Sequence, residues 1–456
     1  MLIEVRRGTG RATARQCQVP KELLDEWVLA EGGTYRLRAG QAVTEAEVHG
    51  QRGLTARGPV IQIGRDCFDE LHLPWDITLH LRREQPGQLA VGPVVGVFVN
   101  DRYLAAIHEG APPTSATELV KANRLAHTLV YWFSAHHVQL LDRTVQGTIF
   151  SPGEGRWLRT VLPLGEVLYD RGVNFTDDEK PVVQYLRRQA LGSPAMRLVN
   201  SRDYFDKWWT HQALAAYDEV KPYLPATLRY RSVSDLLALL DRTGVVYLKS
   251  FYGSGGSQVM VVERQGDQSV CMYGRDATRR VVEDESRLAA VVDAFFAGRK
   301  VVAQEGVDLL QYRGRRMDMR ILVNKDGRGV WEALYNQVRL ARPGQRITNV
   351  RLGAEVHDFP PLVAAAAGCS PERAAEIDQR MRQVSVLVAR HLEKTYGPMG
   401  EIGMDLALDR DLRIWFLEAN AKPDKDPEPV EGVREVYPQF LYVLEYGKFL
   451  AGFHEA

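Results

Sequence analysis

The spacing of apolar and polar residues divides the chain into segments of different character. Up to about residue 90, short alternating segments at residues 34–37, 60–63 and 77–81 predict strands, and residues 21–30 predict a helix. Glycines lie between these segments and mark turns. The pattern therefore predicts a small β-rich N-terminal domain over residues 1–90.

A continuous apolar run at residues 91–99 opens the next segment and is typical of a strand buried in a parallel sheet. Helical spacing follows at residues 115–132. Further along lie strand patterns at residues 139–150 and 157–162 and a helical pattern at residues 181–189. Helices and strands are thus mixed along this segment, which predicts an α/β domain over residues 91–200.

A third domain is predicted from residue 201 to residue 456. Its longest element is a helix that begins at Ser370 and Pro371, and apolar residues recur along it at helical spacing, so we interpret it as core scaffold. The other predicted elements are helices near residues 203–210 and 232–240, a strand hairpin within residues 245–263, and strands near residues 300–305, 317–323 and 330–338. This mixture is typical of an α+β fold.

The last predicted hairpin carries acids on apolar strands at residues 402–408 and 413–419, where a carboxylate is costly unless a cation or a donor contacts it. Because side chains alternate along a strand, Glu418 and Asn420 share one face, and a turn with an even number of residues places Asp405 on that face. Two carboxylates and an amide oxygen suit Mg²⁺ or Mn²⁺. The alternative is a surface hairpin with solvated acids. Without a metal the two acids repel each other, so replacing Glu418 by Gln is expected to raise stability.

A second hairpin, within residues 245–263, carries Lys249 at the end of its first strand and three glycines at its tip. Glycine lets backbone N–H groups approach an anion, and Lys249 supplies a point charge beneath them, so the hairpin is a candidate phosphate loop. It is not a Walker loop, because no Lys-Ser or Lys-Thr pair follows the glycines to open a helix. The alternative is a plain flexible hairpin turn.

Charged residues also lie on the strands between these hairpins. Asp318 and Arg320 share one face of a strand, and Arg339 and Asn349 follow the next one. One interpretation of Asp318 and Arg320 is a partly buried ion network, because such networks also mimic active sites.

Composition changes this picture little. The 456 residues include 58 Lys and Arg and 58 Asp and Glu, so no net charge favours nucleic acid or an anionic membrane, and a nucleic-acid partner is unsupported. The 4 cysteines have no metal-like spacing and suit reduced thiols. The first residues lack an apolar stretch of signal-peptide length, and no run approaches a membrane span, so we expect a cytoplasmic location.

The order of the charged motifs resembles the ATP-grasp superfamily. Within it, four segments most resemble the YheC/YheD-like branch, whose members are described as endospore coat-associated proteins: Leu-Pro-Ala-Thr at 224–227, Tyr-Leu-Lys at 247–249, Arg-Leu-Ala-Arg-Pro-Gly at 339–344, and Glu-Ala-Asn-Ala-Lys-Pro at 418–423. The superfamily resemblance covers about residues 201–425, and the branch resemblance reaches back to Gly92. Residues 1–90 are not explained by it.

This resemblance implies an ATP-grasp fold over residues 201–456, preceded by an α/β pre-ATP-grasp domain over residues 91–200. It implies an ATP held between two α+β subdomains, with the adenine bonded to backbone at residues 304–307. The implied nucleotide-binding residues are Lys207, Lys249, Gly253, Ser254, Gly255, Gly256, Ser257, Gln304, Glu305, Val307 and Asp308. The implied ligands of one or two Mg²⁺ ions are Asp405, Glu418 and Asn420, and the implied catalytic residues are Arg320, Arg339 and Asn349.

Family enzymes phosphorylate a carboxylate and let an amine or a thiol displace the phosphate, so the resemblance implies a ligase acting on small-molecule or peptide carboxylates and amines. Two alternatives stay open: an ATP-binding structural or regulatory protein associated with the spore coat, and a kinase that stops at phosphoryl transfer. The sequence departs from the family pattern at Ser250, where Pro is common, and at Ala354, where a second glycine is usual. Neither departure removes a charge that the chemistry requires.

Overall fold

The structure, a computed structural model, describes residues 1–9, 14–51, 58–253, 258–273, 278–425 and 434–454. The chain forms two compact units, each built from separate stretches of sequence. Unit 1 comprises Met1–Ser201, Lys325–Val330 and Glu435–Ala456, and unit 2 comprises Arg202–Asn324 and Trp331–Arg434. None of the helices in the described ranges is long and apolar enough to cross a membrane.

Unit 1 begins with a closed barrel. Its elements are β1 (Leu2–Arg7), β2 (Gln16–Pro20), α1 (Lys21–Glu26), β3 (Gly33–Ala39), β4 (Ala42–Gln51), β5 (Val60–Ile63), α2 (Arg65–Glu70), β6 (Ile77–Gln85) and β7 (Gln88–Gly92). The strands pair in the order β1-β5-β2-β4-β3-β7-β6. In β4, Thr44, Ala46 and Val48 are buried while Glu45 and Glu47 are exposed, which is the alternation that one apolar face requires.

A mixed sheet with helices follows the barrel. Its elements are β8 (Val94–Phe98), α3 (Asp101–His108), α4 (Thr114–Ala126), β9 (Leu129–Phe133), β10 (Val138–Gln139), β11 (Thr144–Ser151), β12 (Arg156–Pro163), β13 (Val167–Asp170), α5 (Lys180–Gly192) and β14 (Arg197–Leu198). The strand order is β10-β11-β9-β8-β13-β14, and β12 pairs with β11. Strand β8 lies parallel to both β9 and β13.

Two predictions in this segment were wrong in detail. The apolar run at residues 91–99 is not one strand, because β7 ends in the barrel at Gly92 and β8 begins in the sheet at Val94. Pro93, which separates them, has no N–H to continue a ladder. The helical pattern at residues 115–132 contains α4 and then β9, since the Asn123 side chain bonds the backbone N–H of Thr128 at 2.9 Å and ends the helix.

The barrel and the mixed sheet share an apolar core. Leu81 and Val91 of the barrel belong to the same buried cluster as Leu129 and Phe133 of the sheet. The chain passes from barrel to sheet at Gly92, next to the boundary predicted at residue 90. The core nevertheless continues across this point.

The first part of unit 2 is an antiparallel sheet with helices. Its elements are α6 (Lys207–Leu214), β15 (Thr227–Tyr230), α7 (Val233–Thr243), β16 (Val245–Ser250), β17 (Val259–Gln265), β18 (Gln268–Tyr273), β19 (Thr278–Val282), α8 (Glu285–Phe296) and β20 (Val301–Glu305). The strand order β15-β20-β16-β17-β18-β19 places β20 between β15 and β16. Helices α7 and α8 pack on this sheet through Leu236, Leu240, Leu288 and Val292.

The second part of unit 2 contains the final hairpin. Its elements are β21 (Gln311–Tyr312), β22 (Arg315–Lys325), β23 (Trp331–Leu340), β24 (Glu355–Asp358), α9 (Phe359–Ala367), α10 (Pro371–Tyr396), β25 (Glu401–Leu408) and β26 (Ile414–Asn420). The strand order is β24-β23-β22-β25-β26, and β21 pairs with β22. Helix α10 buries Ala374, Ile377, Met381, Val384 and Val388, so the prediction of a scaffold helix is confirmed.

The chain returns to unit 1 with α11 (Pro438–Leu450). Phe440, Val443 and Leu444 of this helix are buried in one cluster with Leu119 and Ala122 of α4.

Candidate functional site

Asp405 on β25 lies directly opposite Glu418 on β26, and Gly403 lies opposite Asn420. The turn between the strands, residues 409–413, has an odd number of residues, so the expectation of an even turn was wrong. A register shift between Asp405 and Leu406 corrects the parity, because β26 contains an extra residue at Leu417. The two acids and Asn420 therefore share one face through a bulge.

Asp405 is buried and contacts two arginines. Nε of Arg320 donates to Oδ1 of Asp405 at 2.6 Å, and a terminal nitrogen of Arg339 lies 3.1 Å from Oδ2. Nε of Arg339 also donates to Asp318 at 2.6 Å. Burial by itself raises the pKa of Asp405, but the charges of Arg320 and Arg339 outweigh it and hold this pKa well below its usual range. The ion network considered in the sequence analysis is thus present, and it includes Asp405.

Asp318, the second acid that contacts Arg339, is also buried. Burial raises the pKa of Asp318, and the negative charge of Asp405 adds to this effect against the lowering by Arg339. Thr348 also donates a short hydrogen bond to Asp318.

Asn349, the residue after Thr348, accepts a hydrogen bond from the backbone N–H of Arg351 at 2.8 Å and caps a short 3-10 helix. Its side chain therefore has a local structural role.

Glu418 lies beside Lys207, the first residue of α6. The Lys207 Nζ is 3.3 Å from a carboxylate oxygen of Glu418 and donates to the carbonyl of Gly253 at 2.7 Å. This lysine therefore connects the final hairpin to the start of the glycine loop. The rest of that loop, Ser254, Gly255, Gly256 and Ser257, lies outside the described residues.

Lys249 lies at the end of β16, where its Nζ donates to Oε1 of Gln304 at 2.6 Å. The amide nitrogen of Gln304 in turn donates to the hydroxyl of Thr227 at 3.1 Å. Burial lowers the pKa of Lys249 to about 8, although Glu418 acts in the opposite direction. An additional anion that binds near Lys249 would therefore stabilise the charged form of this lysine.

The residues at 304–308 fall into different roles. The backbone N–H of Glu305 bonds the carbonyl of Ala226, and that of Gly306 bonds the carbonyl of Val245. The Glu305 side chain accepts from the N–H of Ala226 at 2.7 Å, which is also a structural contact. The backbone N–H groups of Glu305 and Gly306 are thus both used in contacts within unit 2. Asp308 forms an exposed ion pair with Arg410 at 2.8 Å.

A pocket within unit 2 collects many of these groups. It is lined by Phe205, Asp206, Lys207, Thr210, His211, Thr227, Lys249, Val302, Gln304, Phe416, Leu417, Glu418 and Ala419. The site residues predicted from the sequence do not include Asp206, Thr210, His211 or Thr227. Thr227 does lie in the Leu-Pro-Ala-Thr segment that supported the resemblance, and Asp206 caps α6 directly before Lys207, so both had a local signal.

A family model described as YheC/D like ATP-grasp matches residues 195–450, which is more than half of the chain. The chain belongs to the YheC/D-like ATP-grasp family. This membership confirms the predicted resemblance and the predicted ATP-grasp fold, and an ATP-grasp fold generally implies ATP binding with a divalent metal ion.

Two relatives are from Bacillus subtilis (strain 168). The chain is 24% identical to the endospore coat-associated protein YheD over 408 residues, which are 87% of this chain and 86% of the relative. It is 21% identical to the endospore coat-associated protein YheC over 287 residues, 62% of this chain and 77% of the relative. Among solved structures, D-cycloserine synthetase DcsG aligns with a TM-score of 0.46 and 14% identity, over 78% of this chain and 99% of DcsG.

The residues of the YheC/D-like site fit a divalent ion. Within the described residues, the buried amide nitrogen of Asn420 has no hydrogen-bond partner, and as a donor it suits an anionic oxygen such as that of a phosphate. The amide oxygen of the same side chain is the atom that would contact the ion. Glu418 is partly exposed and its contact with Lys207 is long for a hydrogen bond. Asp405 is more committed, but a carboxylate offers about four lone-pair positions, and its arginine contacts use fewer. An all-oxygen set with two carboxylates suits Mg²⁺ or Mn²⁺.

Proposed function

We propose that this protein is an ATP-dependent ligase that activates a carboxylate as an acyl phosphate for attack by an amine or a thiol. The observation that supports it is a group of two sets of ion pairs within unit 2. Asp318, Arg339 and Asp405 form one set, and Glu418 with Lys207 forms the other. The strand register places Asp405 opposite Glu418 and so brings the two sets together in one group. This group joins the second sheet of unit 2 to the glycine loop, and its cations suit a highly charged nucleotide.

Lys207 and Lys249 would bind the phosphates of ATP. Both lie in the pocket, and both already contact neutral or single-charge acceptors that a triphosphate would outcompete. Val307 would donate to the adenine. Asp308 would bind the ribose only after its ion pair with Arg410 breaks. This ion pair is exposed, and such pairs contribute little to stability.

Arg320 and Arg339 would stabilise the charge of the transferring phosphoryl group. A guanidinium has five N–H donors, so contacts with Asp405 and Asp318 through two nitrogens leave donors for an oxyanion. Because the two acids fix the guanidinium planes before substrate binds, little reorganisation is needed in the transition state. A divalent ion held by Glu418, Asn420 and Asp405 would neutralise phosphate charge.

The reaction balances in two steps. A substrate carboxylate oxygen forms a bond to the γ-phosphorus while the bond to the β,γ-bridging oxygen breaks, which releases ADP. An amine then attacks the acyl carbon, loses a proton, and inorganic phosphate leaves. No side-chain nucleophile of the protein is required in this scheme.

Mass spectrometry of products is the direct test. The full chain is incubated with Mg-ATP and pools of amino acids and short peptides, and ADP release is followed in parallel. A ligase gives acceptor-dependent ADP together with a new amide or thioester. ADP with a phosphorylated acceptor would replace this proposal by a kinase, and bound ATP without any product would replace it by a nucleotide-binding protein.

The names of the two relatives also support an association of this chain with the endospore coat. A tagged chain expressed in a spore-forming host should then be recovered with the coat fraction of purified spores. Recovery only in the mother-cell extract would contradict this part of the proposal.

A further inference from the structure

A group of polar residues in unit 1 lies where parallel strands end. Asp101 follows β8, His136 follows β9 and Glu179 follows β13. Because β8 is parallel to both of the other strands, their carboxyl ends meet at one edge of the sheet. This edge is where open α/β sheets bind ligands. All three residues belong to unit 1, whereas the residues of the nucleotide pocket belong to unit 2.

The potential ligand atoms of these side chains converge. One ring nitrogen or carboxylate oxygen from each of Asp101, His136 and Glu179 lies within 4.8 Å of the others. The shortest of these contacts joins Nδ1 of His136 to Oδ2 of Asp101 at 2.7 Å. Asp101 is further fixed by a short hydrogen bond from the hydroxyl of Ser134.

Glu179 provides an independent indication of a ligand. Its side chain is only 3% exposed, and within the described part of the chain its Oε1 has no hydrogen-bond partner. The other oxygen accepts from the N–H and the hydroxyl of Thr176 at 2.8 and 2.9 Å, which fixes the carboxylate plane. A buried carboxylate oxygen without a partner is unfavourable, and a cation beside it would remove that cost.

The opposite side of His136 has the contact that metal-binding histidines usually have. Its Nε2 lies 2.9 Å from Oδ2 of Asp178, so a carboxylate orients the ring while Nδ1 faces Asp101. Metal-bound histidines typically donate their second ring N–H to a carboxylate or carbonyl in this way. Together with Asp178, three carboxylates surround one imidazole, which leaves an excess of negative charge at this edge.

We propose that Asp101, His136 and Glu179 bind a divalent transition-metal ion, with Zn²⁺ as the best match, at the carboxyl edge of the unit 1 sheet. Imidazole with carboxylates suits Zn²⁺ better than Mg²⁺ or Ca²⁺, which take oxygen ligands. Three protein ligands leave one tetrahedral position for water or for a polar group of a ligand. Asp101 and His136 are exposed, so this position is accessible from solvent.

The competing explanation is that His136 is protonated and that no metal ion is bound. Hydrogen bonds to Asp178 and Asp101 raise the pKa of His136, so an imidazolium between two aspartates also satisfies the contacts of the ring. It leaves Oε1 of Glu179 without a partner, however, and this oxygen is what the metal explains. The two readings differ in whether the protein takes up one metal equivalent.

Titration of the chelator-treated full chain with Co²⁺ tests the proposal, because bound Co²⁺ absorbs visible light in a way that reports its ligands. We expect one equivalent to bind and to be displaced by Zn²⁺. His136→Gln should weaken binding at least tenfold, and Asp178→Asn by about 10- to 100-fold, as for other residues that orient a metal-bound histidine. His49→Gln is the matched control, because His49 also lies between two carboxylates, Glu31 and Glu47, but without a buried acid. It should leave binding unchanged.

Two outcomes would overturn the proposal. Wild-type protein that takes up no Co²⁺ at millimolar concentration would favour the imidazolium, and so would equal Co²⁺ uptake by wild type and the His136→Gln variant. His136 is half exposed, so this variant should fold, which circular dichroism will verify; Glu179→Gln is a second variant that should also lose the metal. The Glu418→Gln variant, which is changed in unit 2, should still bind Co²⁺ at this site. Loss of Co²⁺ binding in that variant would also contradict the assignment.

Discussion

Asp405 and Glu418 lie opposite each other on neighbouring strands, yet each has its own cationic partners. Arg320 and Arg339 contact Asp405, and Lys207 lies beside Glu418. From the sequence alone, repulsion between the two acids is expected to dominate when no metal is bound, so that Glu418→Gln would gain stability. With these cations in place we now expect a small loss instead.

The Glu418→Gln variant should separate folding from metal binding. It keeps the side-chain shape and removes one negative charge, so the protein should fold, while Mg²⁺ should bind the ATP complex at least about tenfold more weakly. Isothermal titration of Mg²⁺ into the ATP-bound proteins measures this difference. Glu376→Gln, on the surface of α10, is the control and should not change the affinity. Unchanged Mg²⁺ affinity in the first variant would mean that Glu418 is a structural acid.

Replacing Lys249 by Ala should weaken ATP more than adenosine. The substitution removes a charged phosphate contact, which corresponds to about 1.5–3 kcal/mol or roughly 10- to 100-fold in the ATP dissociation constant. Thermal shift with each ligand provides the measurement, since a ligand of the folded state raises the melting temperature. Lys221→Ala alters only a surface pair with Asp218 and should behave as wild type. An equal loss of both ligands would contradict a phosphate role for Lys249.

ATP affinity should depend on pH through the same lysine. Its pKa in the free protein is about 8 because it is buried, and bound phosphate would raise this pKa by stabilising the charged form. Above pH 8 binding must therefore take up a proton, and affinity should fall by at most about tenfold per pH unit. Lys249→Gln should remove this dependence in binding measured from pH 7 upward. A wild-type affinity that is flat across this range would show that another group carries the phosphate charge.

Asp405→Asn should destabilise the protein, because it leaves two buried arginines without their shared acid, at a cost of about 3–5 kcal/mol. The pKa of Asp405 is lowered in the folded state, so its contribution is fully present above the unfolded pKa of about 3.9 and is lost as pH falls towards the lower folded value. Urea unfolding should show a constant difference from wild type between pH 7 and 5 that shrinks below pH 4. Asp241→Asn removes an exposed pair with Arg264 and should cost less than about 1 kcal/mol. A small, pH-independent effect at Asp405 would contradict its role in this network.

Local patterns were sufficient for much of the fold. Three elements were recognisable because each depends on the spacing of residues close in sequence. They are the apolar stripe of α10, the hairpin at residues 401–420 and the strand that carries Lys249. The roles predicted for the site residues remain predictions; these residues are Lys207, Lys249, residues 253–257, Gln304, Glu305, Val307, Asp308, Arg320, Arg339, Asn349, Asp405, Glu418 and Asn420. Their motif order nevertheless identified the family, which the match over residues 195–450 confirmed.

Other features depend on contacts between residues far apart in the chain. The barrel closes because β1 pairs with β5 and β6, and no residue in those short strands specifies its partners. The bulge at Leu417 reverses the parity that the turn alone would give, and alternation along one strand does not reveal it.

The sequence by itself determined which residues carry charge on apolar strands and therefore where a charged site had to form. Only the tertiary structure decided which cation neutralises which acid, because Arg320 on β22 and Arg339 on β23 both contact Asp405 on β25. The same holds for Asp101, His136 and Glu179, which lie far apart in sequence and meet only because three parallel strands end at one edge. Electrostatic energies depend on distance in space, and sequence spacing fixes that distance only within a single helix, strand or turn.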